Sequence, residues 1–197
     1  SHFTRIARIF AAELEIEVEF APIRDILSID AGEFGGNPAL KLPTLESPDG
    51  RWFGSLPISR ELARHSELNL DIVWPEQLEA ALASNAQEMV STAMATEVGL
   101  IMGQGSGVAA DNAHQAKMRA SLLGTMAWLE ENAGPALSAL PVERDLSFLE
   151  VSLFCLLEHL VFREVLPTEA YPRLRDGVVA TSGVSRDNAA AGQEAMR

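Results

Sequence analysis

The spacing of apolar residues changes character along the chain. Helical spacing predicts a helix over Thr4–Leu14. In the next segment, Glu15–Phe20, apolar residues alternate with glutamates, and this period of two predicts a strand with one buried face. Two further short strands are expected at Leu42–Leu45 and Arg51–Phe53, joined by a turn that contains Asp49-Gly50.

The pattern then predicts helices to the end of the chain, and no strand is expected after Trp74. A helix with Pro57 in its first turn is expected to end near His65, and Gly134-Pro135 is expected to end the second of the later helices. These later helices are expected at Trp74 to Met102, Asn112 to Asn132, Phe148 to Glu164 and Thr168 to Thr181. The sequence thus predicts an α/β domain over residues 1–66 and an all-helical domain over residues 74–197.

The start of the Phe148 helix carries a capping-box pattern. The Ser147 hydroxyl is placed to cap the helix, and Glu150 is placed to accept the Ser147 amide in return. Leu146 and Val151 are spaced for the hydrophobic staple across that cap. If this capping box forms, Ser147→Ala is expected to lower the free energy of unfolding by about 1–2 kcal/mol.

Composition narrows the classes of function. The formal net charge of −13 argues against nucleic acid as a partner, because phosphate binding needs a basic surface. Neither a long apolar run nor a signal peptide is recognised, so a cytoplasmic protein with no membrane partner is expected. The single cysteine, Cys155, is expected in the core. The four histidines lack metal-ligand spacing to another His or Cys, so no metal site is expected.

Four segments resemble, in chain order, motifs of the cytosolic glutathione transferases. The opening Ser1–Arg5 resembles the active-site turn of the serine-type, bacterial-like classes. Asn37–Leu45 resembles the family's NPxxKxPxL signature, and the family's DG…ES..I stretch is matched by Asp49-Gly50, Ser55 and Ile58. The Ser147–Glu150 box is similar to the family's SxAD box. The resemblance implies a thioredoxin-like N-terminal domain followed by the helical bundle of this family.

The resemblance also implies a glutathione site. In the family the proline equivalent to Pro43 is cis, and the backbone of the preceding residue, here Leu42, pairs with the cysteinyl backbone of glutathione. Ser55, at a helix N-terminus, would bind the γ-glutamyl carboxylate. Lys41 is a further candidate contact. Each has a structural alternative: Pro43 as a fold determinant, Ser55 as a helix cap and Lys41 as a surface lysine.

The catalytic role falls by resemblance to a hydroxyl beside the first helix. Ser1 would hydrogen-bond the glutathione sulfur and favour its thiolate, and Thr4 is the alternative. Two departures from the family stand out. Gly54 replaces the usual Glu or Asp before Ser55, which removes an acceptor for the γ-glutamyl ammonium, and the first strand of the family is expected upstream of Ser1.

Two functions of different classes follow. The first is a glutathione transferase that uses the thiolate against a small hydrophobic electrophile. The second is a non-catalytic protein of the same fold that serves as an interaction module, which Gly54 favours. The resemblance further implies a homodimer, with the segment Ser28–Pro38 and its Phe34 as a candidate for docking on the partner.

Overall fold

The computed structural model describes residues 1–109 and 111–181. Short 3₁₀ turns occur at Ala31–Phe34, Pro75–Gln77 and Thr168–Ala170. In the described residues the helices and strands are, in chain order, α1 (His2–Glu13), β1 (Thr44–Ser47), β2 (Gly50–Phe53), α2 (Ser55–His65), β3 (Ile72–Val73), α3 (Ala81–Gly105), α4 (Ala113–Ser138), β4 (Leu146–Ser147), α5 (Phe148–Phe162) and α6 (Pro172–Thr181).

The chain divides into two compact units, and the first is built from Ser1–Leu70. In it, α1 packs against α2, and α2 packs against β2. The apolar faces of both helices are buried, with Phe10 on α1 and Leu62 on α2 among the core residues. A hydrogen bond of 2.7 Å from Ser66 Oγ to the Leu14 carbonyl joins the ends of the two helices.

The second unit begins at Asp71 and is mainly helical. In it, α3 packs against α4 and α5, and α4 packs against α6. Its core contains Val90, Met94, Leu122, Met126, Leu153 and Leu156. The expectation of no strand after Trp74 is wrong in one place, because β4 forms a two-residue parallel pair with β3, with Ile72 opposite Leu146. This pair ties the start of the unit to the segment before α5.

The predicted hairpin is confirmed, but its first strand begins at Thr44 and ends at Ser47, so Leu42 lies before it and not within it. Strands β1 and β2 are antiparallel, with Thr44 opposite Phe53 and Ser47 opposite Gly50. Gly50 has φ of 133°, a backbone conformation that glycine reaches without a steric penalty. Pro48-Asp49 forms the tip of the turn.

The predicted strand at Glu15–Phe20 is wrong: the segment lies outside the strands of the described chain. Its apolar side chains do not share a buried face, since Val18 is 42% exposed and Phe20 is 49% exposed. Alternation is necessary for a half-buried strand but not sufficient, because a strand also needs a neighbour that accepts its backbone hydrogen bonds. The Phe20 ring instead lies under the Arg8 guanidinium, 5.0 Å from the ring centroid.

Two helix boundaries also differ from prediction. The segment from Trp74 forms a 3₁₀ turn, with the Trp74 amide donating to Gln77 Oε1, and α3 begins only at Ala81. Helix α4 continues through Pro135 to Ser138. Its last turn buries Leu137 in the core, and this burial outweighs the hydrogen bond that a proline cannot donate.

The predicted capping box at α5 is also wrong. Ser147 occupies the N-cap position, but its side chain makes no capping hydrogen bond, and its buried hydroxyl has no partner within the described chain. Glu150 instead pairs with Arg144. The Arg144 Nε donates to Glu150 Oε2 at 2.9 Å, and its Nη2 donates to Glu150 Oε1. This ion pair raises the pKa of Arg144 against the opposing effect of burial. A charge-assisted pair to guanidinium is stronger than a hydrogen bond to one amide, so Glu150 is held away from the cap.

Three other expectations concern single features. Cys155 is buried in α5, as predicted. Phe34 is also buried, 1% exposed, so its side chain is occupied within its own chain rather than offered to a partner. None of the helices in the described part of the chain has the length and apolar character needed to cross a bilayer.

Candidate functional site

The loop before Pro43 is organised by one buried side chain. Asn37 is 5% exposed; its Nδ2 donates to the Lys41 carbonyl at 2.8 Å, and its Oδ1 accepts from the Ala39 amide at 3.0 Å. These bonds hold the loop through Leu40, which has a positive φ of 53°. The Leu42–Pro43 peptide bond is cis, as the resemblance implies.

A backbone hydrogen bond connects this loop to α2. The Gly54 amide donates to the Pro43 carbonyl at 3.0 Å. The same end of the hairpin pairs Thr44 with Phe53. The candidate residues Leu42, Pro43 and Ser55 are therefore brought together at one end of the hairpin.

The first turn of α2 has unsatisfied donors at this place. Gly54 is the N-cap residue, with φ of 84° and ψ of 157°, and it has no side chain with which to cap the helix. The amides of Ser55 and Leu56 come before the first residue that can donate within the helix. They lie at the positive end of the helix dipole, which favours an anionic group. Ser55 itself is half-buried.

The two catalytic candidates lie at the start of α1. Ser1 is exposed at the N-cap position, makes no side-chain capping bond, and accepts the Arg5 amide with its carbonyl at 3.0 Å. Thr4 is half-buried, and its enclosed hydroxyl has no hydrogen-bond partner among the described residues. Both candidates therefore belong to the first turn of α1, Ser1 at its N-cap and Thr4 three residues later.

Lys41 is the least supported of the candidates. Its side chain is exposed, and its backbone carbonyl is used by Asn37. The arrangement of the loop and of the α2 N-terminus therefore offers backbone donors and acceptors, one hydroxyl and one nearby cation. Such a set suits an extended peptide that ends in a carboxylate.

A second polar group of side chains lies near the other end of α2, and the sequence reasoning missed it. Glu61 is 1% exposed. Its Oε1 accepts from Ser47 Oγ at 2.7 Å and lies 3.1 Å from His65 Nε2, while its Oε2 accepts from Arg64 Nε at 3.0 Å. Burial alone raises the pKa of this carboxyl. The hydrogen bonds from its three neighbours and the charge of Arg64 outweigh that effect and lower the pKa from 4.5 to about 2.

The hairpin turn supplies the rest of this network. His65 Nε2 lies 3.2 Å from Asp49 Oδ2, and the Asp49 amide donates to Ser47 Oγ at 3.3 Å. Trp52 Nε1 also donates to Ser47 Oγ, at 3.1 Å, and the Arg64 guanidinium lies 4.7 Å from the centre of the Trp52 ring. The spacing of four residues between Glu61 and His65 places them on one face of a predicted helix. Nothing in the sequence indicates that Asp49 lies near that face.

The architecture confirms the predicted fold class: a thioredoxin-like N-terminal domain followed by a helical domain of the glutathione transferase type. The chain is similar to a glutathione S-transferase of Methylobacillus flagellatus KT, whose crystal structure has GSH bound, with a TM-score of 0.68. The two are 21% identical, and the match covers 91% of this chain and 89% of the other. No family model matches the sequence, and neither does any curated protein.

Proposed function

We propose that this protein binds glutathione and uses its thiolate against a small hydrophobic electrophile, as a glutathione S-transferase-like enzyme. The observation that carries the proposal is the hydrogen bond from the Gly54 amide to the Pro43 carbonyl. It holds the Leu42 backbone beside the uncapped N-terminus of α2. The crystal structure of the structural neighbour, which shares the fold, has GSH bound, and this supports the choice of ligand.

Glutathione has groups that match this site. Its γ-glutamyl carboxylate suits the free amides of the first α2 turn and the Ser55 hydroxyl, because an anion is favoured at the positive end of a helix. Its peptide backbone suits the backbone of the half-buried Leu42, which directly precedes the cis-proline, in the manner of an added strand. The Lys41 ammonium adds a positive charge nearby, of the sign that the remaining carboxylate requires.

The chemistry needs a thiolate. In this proposal the hydroxyl of Ser1 or Thr4 donates a hydrogen bond to the sulfur, and the N-terminus of α1 further favours the anion. The thiol proton leaves to solvent. The sulfur lone pair then forms a bond to the electrophilic carbon, and the displaced electron pair leaves with the leaving group or, in an addition, is protonated from solvent.

The affinity for glutathione is expected to be weak. A charge-assisted hydrogen bond contributes roughly 1.5–3 kcal/mol, and Gly54 offers no carboxylate to the γ-glutamyl ammonium. We expect a dissociation constant in the millimolar range, about −4 kcal/mol for 1 mM.

The test is a thiolate difference spectrum of glutathione with the protein near neutral pH, repeated with Ser1→Ala and Thr4→Ala. Loss of the thiolate signal in only one variant assigns the role to that residue. A glutathione titration by calorimetry on both variants checks that binding persists when the thiolate is lost. Absence of binding well above millimolar glutathione in the unaltered protein contradicts the proposal.

The second candidate is a non-catalytic interaction module of the same fold. The glycine at position 54, where the family carries an acidic residue, favours it. This function predicts no glutathione binding and no retention on a glutathione-affinity column. Retention, followed by elution with free glutathione, favours the enzyme instead.

We also propose a cytoplasmic homodimer. The apolar residues Ile26, Leu27 and Ile29 are 51%, 62% and 91% exposed, which supports a partner surface just before the buried Phe34. Sedimentation at micromolar concentration should show a species of twice 21.3 kDa. A species of 21.3 kDa alone would reject the dimer.

A further inference from the structure

We propose that Asp49, Glu61 and His65 form a binding site for one divalent transition-metal ion, with Zn²⁺ as the preferred ion. Each of the three residues offers one ligand atom, and all three atoms lie within 4.8 Å of one another. One imidazole nitrogen and two carboxylate oxygens form a ligand set that Zn²⁺ accepts, with a fourth position left for water. We call these three residues the carboxylate–imidazole cluster.

The distances within the cluster suit a tetrahedral ion. Zn²⁺ binds histidine nitrogen and carboxylate oxygen at about 2.0–2.2 Å, which places neighbouring ligand atoms about 3.3–3.5 Å apart. His65 Nε2 lies 3.1 Å from Glu61 Oε1 and 3.2 Å from Asp49 Oδ2. At these two contacts a bound ion needs only a few tenths of an ångström of expansion, and the two carboxylate oxygens lie within 4.8 Å of each other.

The number of protons in the cluster also points to a cation. Both carboxylates can only accept when ionised, and His65 Nε2 carries at most one proton to share between them. The Glu61 carboxylate is buried, 1% exposed. Arg64 donates to Oε2 of this carboxylate and Ser47 Oγ donates to Oε1, and the Oε1 side also faces His65 and, beyond it, the Asp49 carboxyl group. A divalent ion in place of the shared proton would bind all three ligand atoms.

The ligands are held in place before any ion binds. Glu61 and His65 are four residues apart, on one face of α2, so the helix fixes their separation. Arg64 and Ser47 bind the Glu61 carboxylate and orient it, as outer partners of metal ligands commonly do. Ser47 Oγ also accepts the Asp49 amide and thereby positions the turn.

The site is accessible and separate from the proposed glutathione site. The side chains of His65 and Asp49 are 41% and 66% exposed, so ions from solvent can reach them. Ten residues of helix separate His65 from Ser55, which corresponds to about 15 Å along the axis. An ion here would join the β1–β2 turn to the last turn of α2 and stabilise the first unit. The proposed metal site is independent of the proposed glutathione-binding function, so a test of one does not decide the other.

The experiment is calorimetric titration of Zn²⁺ into chelator-treated protein in a buffer that does not bind metal, with Trp52 fluorescence as a second signal. We expect one equivalent to bind with micromolar affinity and to raise the thermal unfolding midpoint. His65→Gln should abolish this binding, and Asp49→Asn should weaken it at least tenfold. Both side chains are exposed, and circular dichroism of the metal-free variants verifies their fold.

Matched controls separate the cluster from other surface ligands. His114→Gln removes an exposed histidine from the second unit, and Glu46→Gln removes an exposed carboxylate from the same hairpin; both should leave Zn²⁺ affinity unchanged. Co²⁺ in place of Zn²⁺ should give the visible absorption of a tetrahedral ion. No saturable binding up to millimolar Zn²⁺, or binding that survives both His65→Gln and Asp49→Asn, overturns the proposal.

Discussion

Replacing Gly54 separates two effects that meet at this position, backbone strain and the missing carboxylate. Its φ of 84° and ψ of 157° lie in a region that is open almost only to glycine. A Cβ at this position would meet no atom closer than Pro57 Cδ at 3.9 Å, so steric collision is not the issue. Strain of this kind costs about 1–3 kcal/mol, and we expect that loss of stability in Gly54→Ala.

Urea denaturation measures this cost. With a slope of about 2 kcal/mol per molar urea, the midpoint of Gly54→Ala should fall by about 0.5–1.5 M. Gly124→Ala is the matched control, because Gly124 is exposed in the interior of α4 with no neighbour within 4 Å. Gly124→Ala should raise the free energy of unfolding by about 0.5–1 kcal/mol. Equal midpoints for Gly54→Ala and the unaltered protein would refute the strain argument.

Gly54→Glu adds the carboxylate on top of the same strain. A charge-assisted bond to the γ-glutamyl ammonium contributes about 1.5–3 kcal/mol, or roughly 10–100-fold in affinity. Calorimetry should therefore show glutathione bound at least tenfold more tightly by Gly54→Glu than by Gly54→Ala. Equal affinities would show that the ammonium does not lie near position 54.

Further predictions concern stability. Glu150→Gln should lower the free energy of unfolding by about 1.5–3 kcal/mol, because it removes the charged partner of the half-buried Arg144. Ser147→Ala should shift the denaturation midpoint little, since its hydroxyl has no partner in the described residues. The pKa of Glu61 is about 2 in the folded protein, against an ordinary value of 4.5. The ionised carboxylate therefore stabilises the fold above pH 4.5, and this contribution is lost as the pH falls towards 2. The difference in unfolding free energy between the unaltered protein and Glu61→Gln should shrink across that pH range. Glu130 accepts the amides of Arg173 and Leu174 at 3.0 and 2.9 Å, so Glu130→Ala should cost about 1–2 kcal/mol and speed hydrogen exchange of both amides.

Features encoded over a few neighbouring residues could be predicted from the sequence. The helices follow from apolar spacing within single segments, and the hairpin follows from the turn chemistry of Asp49-Gly50. The strand at Glu15–Phe20 could not be decided in this way, because the neighbour that a strand needs lies elsewhere in the chain.

Competition between partners explains the other errors. The Ser147–Glu150 spacing was suitable for a capping box, but Arg144 binds Glu150 more strongly. The carboxylate–imidazole cluster shows the same limit. Its Glu61–His65 half is a local helix pattern, whereas Asp49 joins it only through the folded hairpin. The candidate site was found by resemblance, which gave the residues of the Pro43 loop and of the α2 N-terminus but not the hydrogen bond that connects them.

The central claim, that glutathione binds across the Leu42 backbone and the start of α2, is tested most directly by an amide-resolved NMR titration with S-methylglutathione. This analogue keeps the peptide and both carboxylates but cannot react. The account predicts saturable shifts at the amides of Leu42, Ser55 and Leu56, with those of α6 unchanged. Saturable shifts confined to other parts of the chain, or no shifts at millimolar ligand, would contradict it.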